Sequence, residues 1–109
     1  MKNAIKNARI EFEKFVGTAE VKCAGITYSN LCDWYGVVKG PLLLKVGYTT
    51  DEYQSFLASL NFNYDEGSGC EELYGTIWFN DGTWATRGEY GGSEWWEHHE
   101  CPEIPSELR

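Results

Sequence analysis

The sequence predicts a single α+β domain, an antiparallel β-sheet of about five to six strands with two α-helices packed on one face. Three observations predict it. The 109 residues fit one domain, 1–109, and suffice to bury a core without staples. Tyr53, Phe56, Leu57 and Leu60 recur at i, i+3, i+4 and i+7, the stripe of an amphipathic helix. Asp81-Gly82 separates two strand-like runs rich in aromatic and β-branched residues, the mark of a β-hairpin.

The elements follow in chain order. Lys2 to Val16 reads as a helix, with Ile5, Ala8, Phe12 and Phe15 on one side and Gly17 as its stop. Glu20 to Tyr28 reads as a strand with a phase slip at Ala24-Gly25. Ser29 to Tyr35 is a loop holding Cys32 and Trp34. Val37-Val38 begins a strand that Gly40-Pro41 interrupts, and Leu42 to Tyr48 resumes it. Thr49-Thr50-Asp51-Glu52 starts the second helix: a threonine hydroxyl accepts an orphan N–H, and two acids suit the positive end of the dipole. That helix stops near Asn61, and Tyr64 to Gly69 reads as a polar loop.

Glu71 to Phe79 and Thr83 to Tyr90 form the hairpin. A two-residue turn at Asp81-Gly82 sets Ile77 opposite Thr86, Phe79 opposite Trp84 and Trp78 opposite Ala85. One face then holds Leu73, Ile77, Phe79, Trp84 and Tyr90 as core. The other holds Tyr74, Trp78, Arg87 and Glu89. A second tight turn at Gly91-Gly92 leads to a strand from Ser93 to Glu100. A two-residue turn there puts Trp95 over Gly88, Trp96 beside Arg87 and Glu94 against Glu89; the last pair repels, which leaves the register open by one residue.

No apolar run approaches the length of a membrane span, and no apolar stretch follows the basic N-terminus. The reading is therefore a cytoplasmic protein with no membrane partner. The four cysteines form no CxxC, so free thiols are expected. The net charge is −8, and residues 65–109 hold two Lys/Arg against eleven Asp/Glu, or −9. Such a half repels phosphate backbones and attracts a basic partner, so direct nucleic-acid binding is not expected.

No motif carries a catalytic mechanism, so no catalytic residues and no cofactor are expected. His98, His99, Cys101 and Cys70 invite a metal reading, but adjacent histidines on a strand point to opposite faces. Glu66-Gly67-Ser68-Gly69 lacks the lysine and hydroxyl of a phosphate loop and reads as turn chemistry. The remaining constellation is aromatic and acidic. Tyr74, Trp78, Arg87, Glu89, Glu94 and Trp96 are the candidate partner-binding residues, since Trp, Tyr and Arg bury large area with few lost rotamers. The competing reading covers this face with a helix and makes its rings core.

The stretch Gly75-Thr76-Ile77-Trp78-Phe79-Asn80-Asp81-Gly82-Thr83-Trp84, then Arg87-Gly88-Glu89-Tyr90, Gly92-Ser93-Glu94-Trp95-Trp96 and Cys101-Pro102-x-Ile104-Pro105, resembles small accessory proteins of tailed bacteriophages and prophages. Val46-Gly47-Tyr48-Thr49, Phe56-Leu57-x-x-Leu60 and Val21-Lys22-Cys23-Ala24 fit the same pattern. The resemblance implies no catalytic residues. It implies a source in which small acidic proteins often inhibit host machinery, including restriction enzymes and CRISPR effectors. The expected function is thus an acidic antidefence inhibitor that occupies a basic surface of a host defence or nucleic-acid-handling protein. Two alternatives stand beside it. One is a nucleotide or other small-ligand sponge, with rings stacking on bases and Arg87 holding a phosphate. The other is a structural or virion-associated protein.

Overall fold

The computed structural model describes residues 4–29, 38–66, 72–90, 93–101 and 106–108. The expected Ser29–Tyr35 loop, the Gly91-Gly92 turn and Cys70 lie wholly or almost wholly outside them. The described elements are β1 (Ala4–Asn7), α1 (Ala8–Val16), β2 (Val21–Ser29), β3 (Val38–Leu44), α2 (Thr50–Ser59), β4 (Asn63–Glu66), β5 (Leu73–Phe79), β6 (Trp84–Tyr90), β7 (Ser93–His99) and a 3₁₀ turn at Ser106–Leu108. Five strands form one antiparallel sheet in the order β3-β2-β5-β6-β7, and β1 pairs with β4 in a separate two-stranded sheet. The fold is α+β, with both helices on one face of the large sheet.

Each helix begins where its side chains can satisfy its first N–H groups. Asn7 accepts the Ile10 N–H at 3.0 Å and starts α1. The expected helix from Lys2 is therefore shorter, and β1 takes the residues before it. At α2 the Thr49 hydroxyl accepts the Glu52 N–H at 3.1 Å while the Glu52 carboxylate accepts the Thr49 N–H at 3.0 Å, a complete capping box. Thr49→Ala is expected to cost about 1 kcal/mol in urea unfolding.

The helices and the inner sheet face share one core. Phe12 of α1 meets Phe56 of α2 edge to face, with centroids 5.6 Å apart. Leu60, Leu73, Ile77 and Ala85 are buried beneath them. Phe15 packs against both Phe79 and Trp96 and carries the core to β7. The expected stripe of α2 lies on this side: Phe56, Leu57 and Leu60 are buried, and Tyr53 packs against the core. The shortest Cα dimension is 20 Å, room for one sheet and one layer of helices.

The central hairpin corrects the expected register. Its loop is Asn80-Asp81-Gly82: the Phe79 N–H donates to the Thr83 carbonyl at 2.9 Å, and Gly82 takes φ +89°, which favours glycine. The Asp81 carboxylate accepts from the Thr83 N–H and hydroxyl at 2.9 and 2.6 Å, which holds its carboxyl below the usual range. Thr76 pairs with Thr86, Ile77 with Ala85 and Trp78 with Trp84. One residue added to the loop turns every side chain of β6 to the face opposite the one expected.

Two smaller differences concern β2 and β3. The irregularity of β2 against β5 falls between Val21 and Cys23 rather than at Ala24-Gly25. β3 runs unbroken across Gly40-Pro41, and its register against β2 shifts there instead. It ends at Leu44, short of the expected Tyr48, because Val46-Gly47 turns with Gly47 at φ +82°.

Candidate functional site

The register of β5, β6 and β7 sorts the six candidate residues onto two sides of the sheet. Leu73, Ile77 and Phe79 face the helices, as expected. Tyr74 and Trp78, on the other side, are 45% and 46% exposed. The shift of β6 carries Arg87 to the helix side, and β7 follows it. Its own register is the one expected, with Arg87 opposite Trp96, Gly88 opposite Trp95 and Glu89 opposite Glu94. Trp96 and Glu94 are therefore buried too. Three of the six candidates, Arg87, Glu94 and Trp96, are interior residues and form no part of a surface patch. Glu89 is exposed at the end of the sheet.

The interior three belong to a buried polar cluster. Arg87, only 2% exposed, donates to Glu11 Oε1 at 2.8 Å and to the Tyr64 hydroxyl at 2.9 Å. Its guanidinium lies 5.0 Å from the centroid of the Trp96 ring, the cation–π contact the pairing of β6 with β7 implies. Tyr64 donates to Glu11 Oε1 at 2.6 Å. Burial, and then this bond, push the Tyr64 hydroxyl far above its ordinary range, although Arg87 opposes them; it stays a neutral donor. Glu94 is fully buried, accepts the Glu72 and Leu73 N–H groups at 3.1 Å each, and sits 3.7 Å from Arg87. The expected repulsion between Glu94 and Glu89 is avoided because Glu94 turns inward to these donors. Lys6 of β1 reaches both Glu11 at 3.3 Å and the Glu94 carbonyl at 2.7 Å. The cluster joins α1, the small sheet and the β6–β7 edge, a structural role.

Among the described residues, α1 and α2 both pack on the inner side, and neither lies on the opposite face of the large sheet. Besides Tyr74 and Trp78 it carries Trp84 and Trp95, both half-buried, the exposed Leu43, and Tyr90, which is 82% exposed. Trp84 was expected in the core and Tyr90 beside it; the added loop residue puts both here. Trp95 lies over Gly88 as the pairing implied: a Cβ on Gly88 would sit 2.6 Å from the Trp95 Nε1. The Trp95 N–H donates to Glu97 Oε1 at 2.9 Å. His99 stacks on Trp84 at 5.8 Å and bonds the Thr86 hydroxyl at 2.8 Å. The face is aromatic, edged with hydroxyls and one carboxylate. Among β5, β6 and β7 the sole Lys or Arg is Arg87, and it is buried on the other side.

The rival readings meet specific geometry. His98 turns toward Phe79 and Thr83 while His99 turns to Trp84, so the adjacent histidines do not share a ligand site. Among the described residues no three His, Cys, Asp or Glu are grouped to hold a metal. Arg87, committed to Glu11 and Tyr64, does not present itself to a phosphate. A groove of about 400 Å³ near the start of α2 is lined by Ala19, Glu20, Val21, Tyr48, Thr50, Tyr53 and Asn80. Among the described residues it is lined by a carboxylate and no cation, a poor setting for a nucleotide.

Comparison with protein-family models, curated proteins and solved structures finds no match.

Proposed function

We propose that this is a binding protein that docks through the face of its large sheet opposite α1 and α2 on a basic surface of a partner protein. One observation carries the reading: Tyr74 and Trp78 stand 45% and 46% exposed on a strand whose other side is core. A sheet spends large rings on a solvated face at a cost in solubility, and contiguous exposed apolar surface marks interaction sites. The net charge of −8 favours a basic partner. Two acids counted toward that charge, Glu72 and Glu94, are buried and take no part in steering. The resemblance to phage accessory proteins supports a host defence or nucleic-acid-handling protein as the partner, and inhibition by occupancy as the effect.

The test is capture from bacterial extract with the wild-type chain and with Tyr74→Ala/Trp78→Ala. Both substitutions fall on half-exposed rings away from the core, so the chain is expected to stay folded, which the thermal midpoint checks. Recovery of a basic partner is expected to fall about tenfold or more in the double variant. It is also expected to fall with rising salt. A partner retained equally by both chains contradicts docking through this face.

A further inference from the structure

Resting on that reading, we infer that Trp95 and Glu97 form the recognition spot for an arginine or lysine side chain of the docking partner. The two residues are neighbours on the open side of β7, and their relative position is set rather than left to chance. Gly88 supplies the space, since a Cβ there would fall 2.7 Å from Trp95 Cε2 and 2.8 Å from Glu97 Oε1. The Trp95 N–H then ties the carboxylate at 2.9 Å. Side-chain hydrogen bonds on an exposed strand restrict rotamers that would otherwise be lost on binding.

The chemistry of the spot selects a cation. An indole attracts ammonium and guanidinium groups through its ring electrons, and an adjacent carboxylate adds a charge-assisted acceptor. Among the described residues Glu97 makes no ion pair. The Trp95 N–H, a donor an anion would use here, is already engaged. The single Lys or Arg of β5–β7 is sealed on the opposite side, so these three strands supply no competing cation. The occupant is therefore a protein segment presenting an arginine or lysine, rather than a phosphate, an acidic peptide or a second copy of this strongly acidic chain.

The experiment uses the full chain, with tetra-arginine amide as the probe and tetra-citrulline as its uncharged counterpart, followed by the assigned indole and backbone amide signals in NMR. Tetra-arginine is expected to shift the Trp95 indole and the Glu97 amide, and tetra-citrulline to leave them in place. Trp95→Ala and Glu97→Gln are expected to weaken the peptide about threefold or more. Asp51→Asn, the same charge change on α2, is expected to leave it unaltered. Glu97 is exposed, so its variant tests the spot even if Trp95→Ala disturbs the sheet. Equal weakening by Glu97→Gln and Asp51→Asn, or shifts confined to other residues, overturns the inference. Sedimentation showing a dimer with Trp95 protected also overturns it, assigning the spot to a second copy. Because the Tyr74/Trp78 capture test uses neither residue, the docking face survives if this spot fails.

Discussion

Arg87→Met is expected to lower the free energy of unfolding by about 3–5 kcal/mol, enough to remove a large share of a small domain's stability. The substitution roughly keeps the volume but takes the buried guanidinium away from Glu11 and Glu94, and only Glu11 is shown within reach of Lys6, at 3.3 Å. Glu94 has no exposure and Glu11 is 17% exposed at the side chain. An interior carboxylate that loses a charged neighbour cannot be rehydrated without opening the fold. The Tyr64 hydroxyl also loses a donor. Arg87→Lys is expected to fall between, since an ammonium keeps the charge but not the forked reach to Glu11 and Tyr64. Adding Glu11→Gln to Arg87→Met is expected to recover part of the loss, which a double-mutant cycle in urea reads directly. A loss within about 1 kcal/mol, the range of solvated pairs, would show that the cluster is open to water.

The second large effect is expected at Gly75, in the middle of the sheet. A Cβ there would lie 2.6 Å from the Gly25 carbonyl oxygen, 3.0 Å from Ile26 Cγ1 and 3.1 Å from Ile26 Cα. Two of those three atoms are backbone, so the strain cannot be relieved by a rotamer change. β2 and β5 must part, and they are two of the three interior strands in the order β3-β2-β5-β6-β7. Gly75→Ala is therefore expected to cost about 2–3 kcal/mol or to prevent folding. Gly88→Ala meets only the side chains of Trp95 and Glu97, which can swing aside, and is expected to cost less. The two variants compared by thermal unfolding separate these cases, and equal midpoints would contradict the backbone clash.

Much of the fold was legible because its signals are local. The α2 cap and its stripe of Phe56, Leu57 and Leu60 need no knowledge of the rest of the chain. The pairing of Trp95 with Gly88 and Trp96 with Arg87 followed from reading Gly91-Gly92 as a two-residue turn, and a ring needing space beside a residue with no side chain favoured it. What could not be read was long-range or decided by one residue. β1 and β4 are polar and short, and each is a strand only because the other is there; Lys6 opposite Tyr64 is a pairing across 58 positions. The candidate site was half legible for a similar reason. Asn80-Asp81-Gly82 is compatible with a two- or a three-residue loop, and the difference exchanges Trp84 with Ala85 and exposes or buries Arg87. A count that favoured glycine at the left-handed third position would have moved Trp84 to the open face and Arg87 into the core.

Docking through this sheet requires indoles facing water on one side and an indole held beside Arg87 on the other. Assigned tryptophan indole N–H signals, recorded with a soluble paramagnetic agent in the solvent, distinguish the two sides in one titration. Strong broadening of Trp78 and Trp84 is expected, with Trp96, 7% exposed, left sharp. Trp78 and Trp84 as protected as Trp96 would contradict the account, because the face proposed for docking would already be covered.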